Sequence, residues 1–323
     1  MQKKIVYGSI DIGGTKVRMG LVASNGQVVF RKMFLTPVKK QWQQVLDSIV
    51  VNFNDMLKET GIPYKAMPGI GIGCPGTFDL NREIIGFAPN LHWRDIPIKK
   101  FLSEKFPVPV WLENDVNVST LGVARFGEGR SVDSLVGIFI GTGIGGGIIL
   151  NKTLFIGNTG GAGEIGHMVV RQDGPQCQCG NNGCLEAITS TRAIYERIKR
   201  SYLKHYKGTE TLENYLSNAN TSLAVKFAYN SGEPNAVRLV DKALYSLGQG
   251  IVNIINVLNP QMVVLGGGLV QTLGNVIVTK AVKAVKELAM PGTFESVEIV
   301  ASSLGDDAPI VGGAALVKQH LQS

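Results

Sequence analysis

The chain has 323 residues, 32 Lys and Arg against 25 Asp and Glu, a net charge of +7, 44% hydrophobic and only 18% charged residues. This balance excludes a disordered chain, and no apolar run approaches the roughly 20 residues of a membrane span. The excess cations are scattered and read as solvated helix faces, so neither nucleic acid nor a membrane is expected as a partner. Residues 1–12 lack the apolar core of a signal peptide, which makes the expected location cytoplasmic. The length suits two domains of ordinary size.

Residues 5–12 read as a strand, Gly13-Gly14-Thr15-Lys16 as a tight turn and residues 17–22 as the returning strand. Asn25-Gly26 then turns the chain into a third strand at 28–30. Trp42, Val45, Leu46, Ile49, Val50, Phe53, Met56 and Leu57 recur at helical spacing until Gly61 stops them. A buried-type strand at 69–74 runs into Pro75-Gly76-Thr77, and after a hairpin comes the loop 89–93. A strand at 108–112 gives way, through Glu113-Asn114-Asp115, to a helix at 116–125.

At residues 135–140 the opening pattern restarts: a strand, a glycine tip at 141–147, a returning strand at 148–150, an Asn151-Lys152 turn and a strand at 154–156. Two such units roughly 130 residues apart point to a duplicated α/β fold with two lobes. Strand 168–171 follows, then helices at 191–204, in shorter pieces across 212–230, and at 236–258. The basic stretch 192–207 alternates with apolar positions as an amphipathic helix does. A strand at 262–265 opens onto Gly266-Gly267-Gly268, and a helix near 274–289, a strand at 297–301 and a small-residue helix at 311–321 close the chain.

Cys177, Cys179 and Cys184 share a loop rich in Gly and Asn, with His167 just upstream. Three thiolates and one imidazole are the donor set of a structural tetrahedral Zn²⁺ site. A disulfide is a poor alternative, because Cys177 and Cys179 are too close to bridge without strain; small buried thiols are the other reading. A metal here would also fix Glu164 and Glu186, the carboxylates flanking the loop, unless these simply face solvent.

Gly141-Thr142-Gly143-Ile144-Gly145-Gly146 matches the dinucleotide fingerprint in letters, yet a hairpin follows where that motif requires a helix. Lys16 after a glycine pair likewise fails the Walker spacing. Each tip is an ordinary glycine hairpin or a cradle of backbone N–H groups for a polyphosphate, to which Thr15, Lys16 and Thr142 add donors; their recurrence in a repeat favours the cradle. Asp115 is either a helix cap or a carboxylate able to take a proton from an attacking hydroxyl, and Asp11 is placed to orient a hydrated Mg²⁺.

Together Asp11-Ile-Gly-Gly-Thr-Lys16, the 141–146 tip, Gly163-Glu-Ile-Gly-His167 and Cys177-Gln-Cys-Gly-Asn-Asn-Gly-Cys-Leu-Glu186 resemble the ROK family of sugar kinases and repressors. That family belongs to the actin-like and hexokinase-like ATPase superfamily, and the resemblance spans the whole chain. It implies a two-lobed fold with a duplicated βββαβα core and a zinc-stapled loop. Residues 1–117 would form a small lobe, rejoined by a helix at about 306–323, and residues 118–305 a large one.

By this resemblance Asp115 is the base for a sugar hydroxyl, while Gly76, Thr77, Asn90, Asn114, Glu164, His167 and Glu186 hold the sugar. Gly13, Gly14, Thr15, Lys16, Gly141, Thr142 and Gly143 take the phosphates of ATP, and Gly266, Gly267 and Gly268 lie against the adenosine. His167 would serve both zinc and sugar. The family's repressors carry an additional N-terminal DNA-binding domain; with a first strand beginning at Ile5, the expectation is an enzyme, an ATP- and Mg²⁺-dependent hexose kinase most like a glucokinase. An N-acetylhexosamine (ManNAc or GlcNAc) kinase and a non-catalytic sugar sensor are the alternatives, and a homodimer is the assembly the resemblance implies.

Overall fold

The computed structural model describes residues 5–37, 41–205 and 220–322. The first sheet begins with the meander β1 (Val6–Ile12), β2 (Lys16–Ala23) and β3 (Val28–Leu35), followed by β4 (Ile70–Cys74). A small hairpin layer, β5 (Thr77–Phe78), β6 (Ile85–Ala88) and β7 (Trp93–Ile96), intervenes before β8 (Val110–Asn114). The second sheet uses β9 (Leu135–Ile140), β10 (Ile144–Leu150), β11 (Thr153–Leu154), β12 (Met262–Gly266) and β13 (Glu298–Ala301). The strand orders are β3-β2-β1-β4-β8 and β11-β10-β9-β12-β13, the same path walked twice, with β5-β6-β7 as a separate three-stranded sheet.

The helices are α1 (Trp42–Thr60), α2 (Ile98–Lys105), α3 (Asp115–Phe126), α4 (Leu185–Thr189) and α5 (Thr191–His205). They continue with α6 (Thr221–Asn230), α7 (Pro234–Leu258), α8 (Gly268–Leu273), α9 (Asn275–Leu288) and α10 (Ala308–Gln322). The parts of the expected helical pieces and of the basic stretch that fall within 206–219 lie outside the described residues. Among the described residues no helix is long and apolar enough to cross a membrane.

Two compact units emerge: residues 1–133, 147–162 and 306–323 form one, and residues 134–146 with 163–305 the other. In the first, α1 buries Val45, Leu46, Ile49, Phe53, Met56 and Leu57, the stripe its helical spacing predicts, and Gly61 ends it at φ 65°. Phe53 meets Phe106 edge-on at 5.3 Å and packs beneath β1, where a side chain on Gly8 would collide with it. α10 lies against α3 and β1, and Gly312 and Gly313 allow this, since a Cβ on either would strike the Val118 carbonyl or the Ser9 hydroxyl. The helix bearing Asp115 is thereby held to the sheet through backbone contact.

The expected strand at 168–171 and the expected tip at 141–147 need correction. Residues 168–171 form no strand: Val169 and Cys184 make one isolated bridge, and the backbone instead closes a narrow loop through Val170 N–H to Gly183 O (3.0 Å) and Leu185 N–H to Met168 O (2.9 Å). The second glycine tip is also shorter than expected, because Ile144 to Gly147 already belong to β10 and only Gly141–Gly143 turn.

Candidate active site

The parallel strands β1, β4 and β8 run in step: Asp11 pairs with Gly73, Gly73 with Glu113 and Cys74 with Asn114. Their carboxyl ends therefore gather Asp11, Cys74, Asn114 and Asp115, at the edge where open α/β sheets receive ligands. Burial pushes the Cys74 thiol well above its ordinary range, and the negative charges of Asp115 and then Asp11 push it the same way. The thiol between the two carboxylates thus stays protonated and inert.

Asn114, not Asp115, caps α3. Its Oδ1 accepts the N–H groups of Val116 at 2.9 Å and Asn117 at 3.2 Å. Asp115 becomes the first helical residue, with Oδ1 3.0 Å from Val116 N. Asp11 is buried, and Arg18, directly opposite on β2, donates to its Oδ2 at 3.0 Å while also donating to Asp306 at 3.2 Å. Burial raises the Asp11 pKa, with the Arg18 cation opposing.

The first glycine tip is closed by Gly13 N–H to Lys16 O at 3.0 Å and pinned by Thr36, which donates through its hydroxyl to Gly13 O (2.6 Å) and through its N–H to Thr15 O (2.9 Å). A Cβ on Gly14 would come within 2.8 Å of the Asn90 carbonyl oxygen, so the tip and the Asn90 turn are in backbone contact. Gly76 has φ 114° and backs onto Phe87 and Ala88 of β6; Thr77 stands beside it on β5, exposed. In this unit the expected sugar loops and the first phosphate tip therefore adjoin the row of strand ends.

In the second unit Gly141 N–H closes on Gly143 O at 2.9 Å, and Thr191 N–H, at the start of α5, donates to Gly141 O at 2.9 Å. Glu186, in the first turn of α4, accepts the Ile144 N–H through Oε2 at 2.9 Å, and a Cβ on Gly143 would run into that carboxylate. Thr142 lies between these held residues. Gly266 pairs with Phe139 in the parallel β9–β12 ladder, and Gly267, at φ 90°, presses on the Ile140 backbone and opens α8 at Gly268. The second tip and the 266–268 glycines are therefore neighbours at the ends of β9 and β12.

His167, Cys177, Cys179 and Cys184 bring their donor atoms within 4.8 Å of one another. His167 Nδ1 lies 3.6 Å from Cys177 Sγ, and Cys179 Sγ lies 3.6 Å from Cys184 Sγ, with all four cysteines of the chain free. Nε2 of His167 points the other way, 3.8 Å from Glu164 Oε2, and the Glu164 side chain is 64% exposed. Burial pushes the Cys184 thiol up to about 12, so without a cation that thiol would hold its proton, while backbone N–H groups at the loop pull the exposed Cys179 thiol the other way.

Sequence reasoning passed over Arg18, Thr36, Arg82 and Glu113. Arg18 was legible in the hairpin register, which puts it across from Asp11. Glu113 had a signal too: an acid between Leu112 and Asn114 at the end of a buried strand demands a cation or donors.

Two sheets of identical path, glycine turns at their strand ends and a Cys₃His cluster define a duplicated α/β protein. The ROK family model matches residues 7–320, and the chain belongs to that family. A glucokinase of Thermotoga maritima is 32% identical over 98% of this chain and 99% of its own length. A glucokinase of Halalkalibacterium halodurans is 34% identical over 98% of this chain and 96% of its own. Among solved structures, a ROK family glucokinase from Streptomyces griseus in complex with glucose and AMPPNP aligns with a TM-score of 0.84 and 29% identity, covering 97% of this chain and 99% of that one.

Proposed function

We propose that the protein is an ATP-dependent glucokinase that phosphorylates the 6-hydroxyl of glucose. The observation that carries the reading is Asp115 at the first position of α3, next to the capping Asn114 and at the strand ends that also bear Asp11. Full-length similarity to two glucokinases and to a glucokinase structure with glucose and AMPPNP supports the same reaction.

Phosphoryl transfer asks a protein mainly for positioning and for stabilisation of phosphate charge. Asp115 takes the proton of the 6-hydroxyl as its oxygen attacks the γ-phosphorus. The Gly13–Lys16 and Gly141–Gly143 tips offer backbone N–H groups, and Lys16 an ammonium, to the phosphates of ATP. Gly266, Gly267 and Gly268 leave room for the adenosine. Gly76, Thr77, Asn90, Asn114, Glu164, His167 and Glu186 hold the sugar.

Asp11 suits a hydrated Mg²⁺, because Arg18 occupies Oδ2 and leaves the other carboxylate oxygen for a metal-bound water. The cation, when bound, neutralises charge on the β- and γ-phosphates. His167, Cys177, Cys179 and Cys184 would hold a structural zinc: Zn–S bonds of about 2.3 Å and Zn–N of about 2.0 Å in a tetrahedron require S···S of about 3.8 Å and S···N of about 3.5 Å. The two 3.6 Å separations lie close to these values, and all four donor atoms fall within 4.8 Å of one another. With Nδ1 on the metal, His167 keeps an Nε2–H for a sugar oxygen or Glu164.

Purified protein incubated with MgATP and glucose should release ADP and glucose 6-phosphate in equal amounts. Glucose binding without ADP would instead make the chain a sugar sensor, and faster turnover of ManNAc or GlcNAc would move the assignment to the N-acetylhexosamines.

A further inference from the structure

Arg82 Nε and Glu113 Oε2 form an ion pair of 2.9 Å whose side chains keep only 11% and 6% of their exposure. Two charges withdrawn this far from water are costly, and a well-packed apolar pair would serve stability as well. What the pair connects is therefore informative.

Glu113 immediately precedes Asn114 and Asp115. Its Oε1 accepts the Asn114 N–H at 2.8 Å and the Asn117 side-chain amide at 3.0 Å, so one carboxylate oxygen grips both the cap and the first turn of α3. Its other oxygen belongs to Arg82. Arg82 sits in the loop between β5 and β6 with φ 54°, an uncommon conformation for a residue with a side chain. Asp79 shapes this loop by accepting the N–H groups of Glu83 and Ile84, both at 2.7 Å. The remaining guanidinium nitrogens of Arg82 donate to the carbonyls of Asp79 and Gly160 at 3.3 Å, and its carbon lies 5.7 Å from the Phe78 ring centroid. Through this one pair, the hairpin that carries Gly76 and Thr77 is fastened to the junction that carries Asn114 and Asp115.

We propose that Arg82 and Glu113 are positioning residues that hold the catalytic junction in register with the Thr77 hairpin, so that the acceptor hydroxyl and its base meet. The inference rests on the kinase reading. Neither residue is placed against substrate; both act through the backbone of Asn114 and through the loop that leads from Thr77. Arg82 is bonded where its charge and its planar fork both matter, so Lys is a partial replacement and Ala none.

Turnover of the wild-type protein with glucose and MgATP tests the kinase reading by itself, and the variants then test the pair. Glu113→Gln and Arg82→Ala should lower kcat by roughly 10²-fold, the scale at which a misplacement of about 1 Å acts, with the KM for MgATP and the zinc content unchanged. Arg82→Lys should recover part of kcat, and the double variant should be no slower than the slower single one, since the residues act as a unit. Should Arg82→Ala or Glu113→Gln fail to fold, Arg82→Lys carries the test alone through a fall in kcat at unchanged KM for MgATP. The proposal is overturned if folded variants keep kcat within about threefold of the wild type, if turnover per folded molecule is unchanged, or if the two effects simply multiply.

Discussion

Glu186 Oε2 accepts the backbone N–H of Ile144 at 2.9 Å, so a carboxylate assigned to the sugar also holds the second glycine tip. Removing a hydrogen bond to a charged group costs about 1.5–3 kcal/mol, or roughly tenfold and more in affinity. Glu186→Ala should therefore weaken AMPPNP binding measured by calorimetry in the absence of sugar, as well as glucose binding. Nucleotide affinity equal to that of the wild type would show that the tip does not depend on Glu186.

The Cys₃His set predicts about one zinc per chain in native protein. Cys184→Ser removes the most buried donor of the cluster and would cut the hold of a bound metal on α4, whose first residue follows Cys184. Metal analysis should find the zinc gone and calorimetry a large loss of glucose affinity. Zinc-free native protein with full glucose affinity would contradict the assignment.

Asp11 is a buried carboxyl group whose burial raises its pKa against the opposing Arg18 cation. Its folded pKa is raised, so the folded state binds the proton more readily than the unfolded chain does, and stability falls as pH rises from the ordinary value of 3.8 through the folded value. Asp11→Asn removes that cost. Its Tm should match or exceed that of the wild type at pH 7, the difference should shrink on acidification below pH 4, and turnover with MgATP should be lost. A variant that melts earlier at pH 7 than at pH 3, relative to the wild type, would reverse the sign.

Asn114→Ala deletes the cap of α3 and should lower stability by about 1 kcal/mol in denaturant unfolding. Because the cap also fixes the backbone that enters Asp115, kcat should fall by more than this loss of stability alone would produce in the folded fraction. Unfolding and activity changing in strict proportion would leave Asn114 a purely structural residue.

Much of this fold was legible in the chain because glycine, asparagine and apolar periodicity mark it locally. Asn25-Gly26 sets the first hairpin and Gly61 ends α1 as expected, and the restart at residue 135 foretells a second sheet with the path of the first. Short or shared elements were harder. α2 buries only Ile98 and Leu102 and α4 is five residues long, starting at the end of the cysteine signature, so neither has a periodicity of its own to display. β3 reaches Leu35 rather than stopping near residue 30, as an edge strand that exposes Val29, Met33 and Leu35 without the expected alternation of polar residues. Met168 to Arg171 has strand-like composition, yet its partner segment is interrupted by the tightly turned Gly183.

At the site, single residues announced themselves and their partners did not. Asp115 could be named from its place between strand and helix, whereas the choice between cap and base needed the hydrogen bonds of Asn114. Glu113 finds Arg82 across 31 positions through a loop of positive φ, a pairing that local spacing does not encode.

The most direct test is Asp115→Asn, assayed for ADP release with glucose and for glucose binding by calorimetry. The amide keeps the shape of the side chain but cannot take a proton, so turnover should fall by at least about 10²-fold while glucose affinity stays within a few-fold of the wild type. Turnover equal to that of the wild type would contradict Asp115 as the base and, with it, the proposed mechanism.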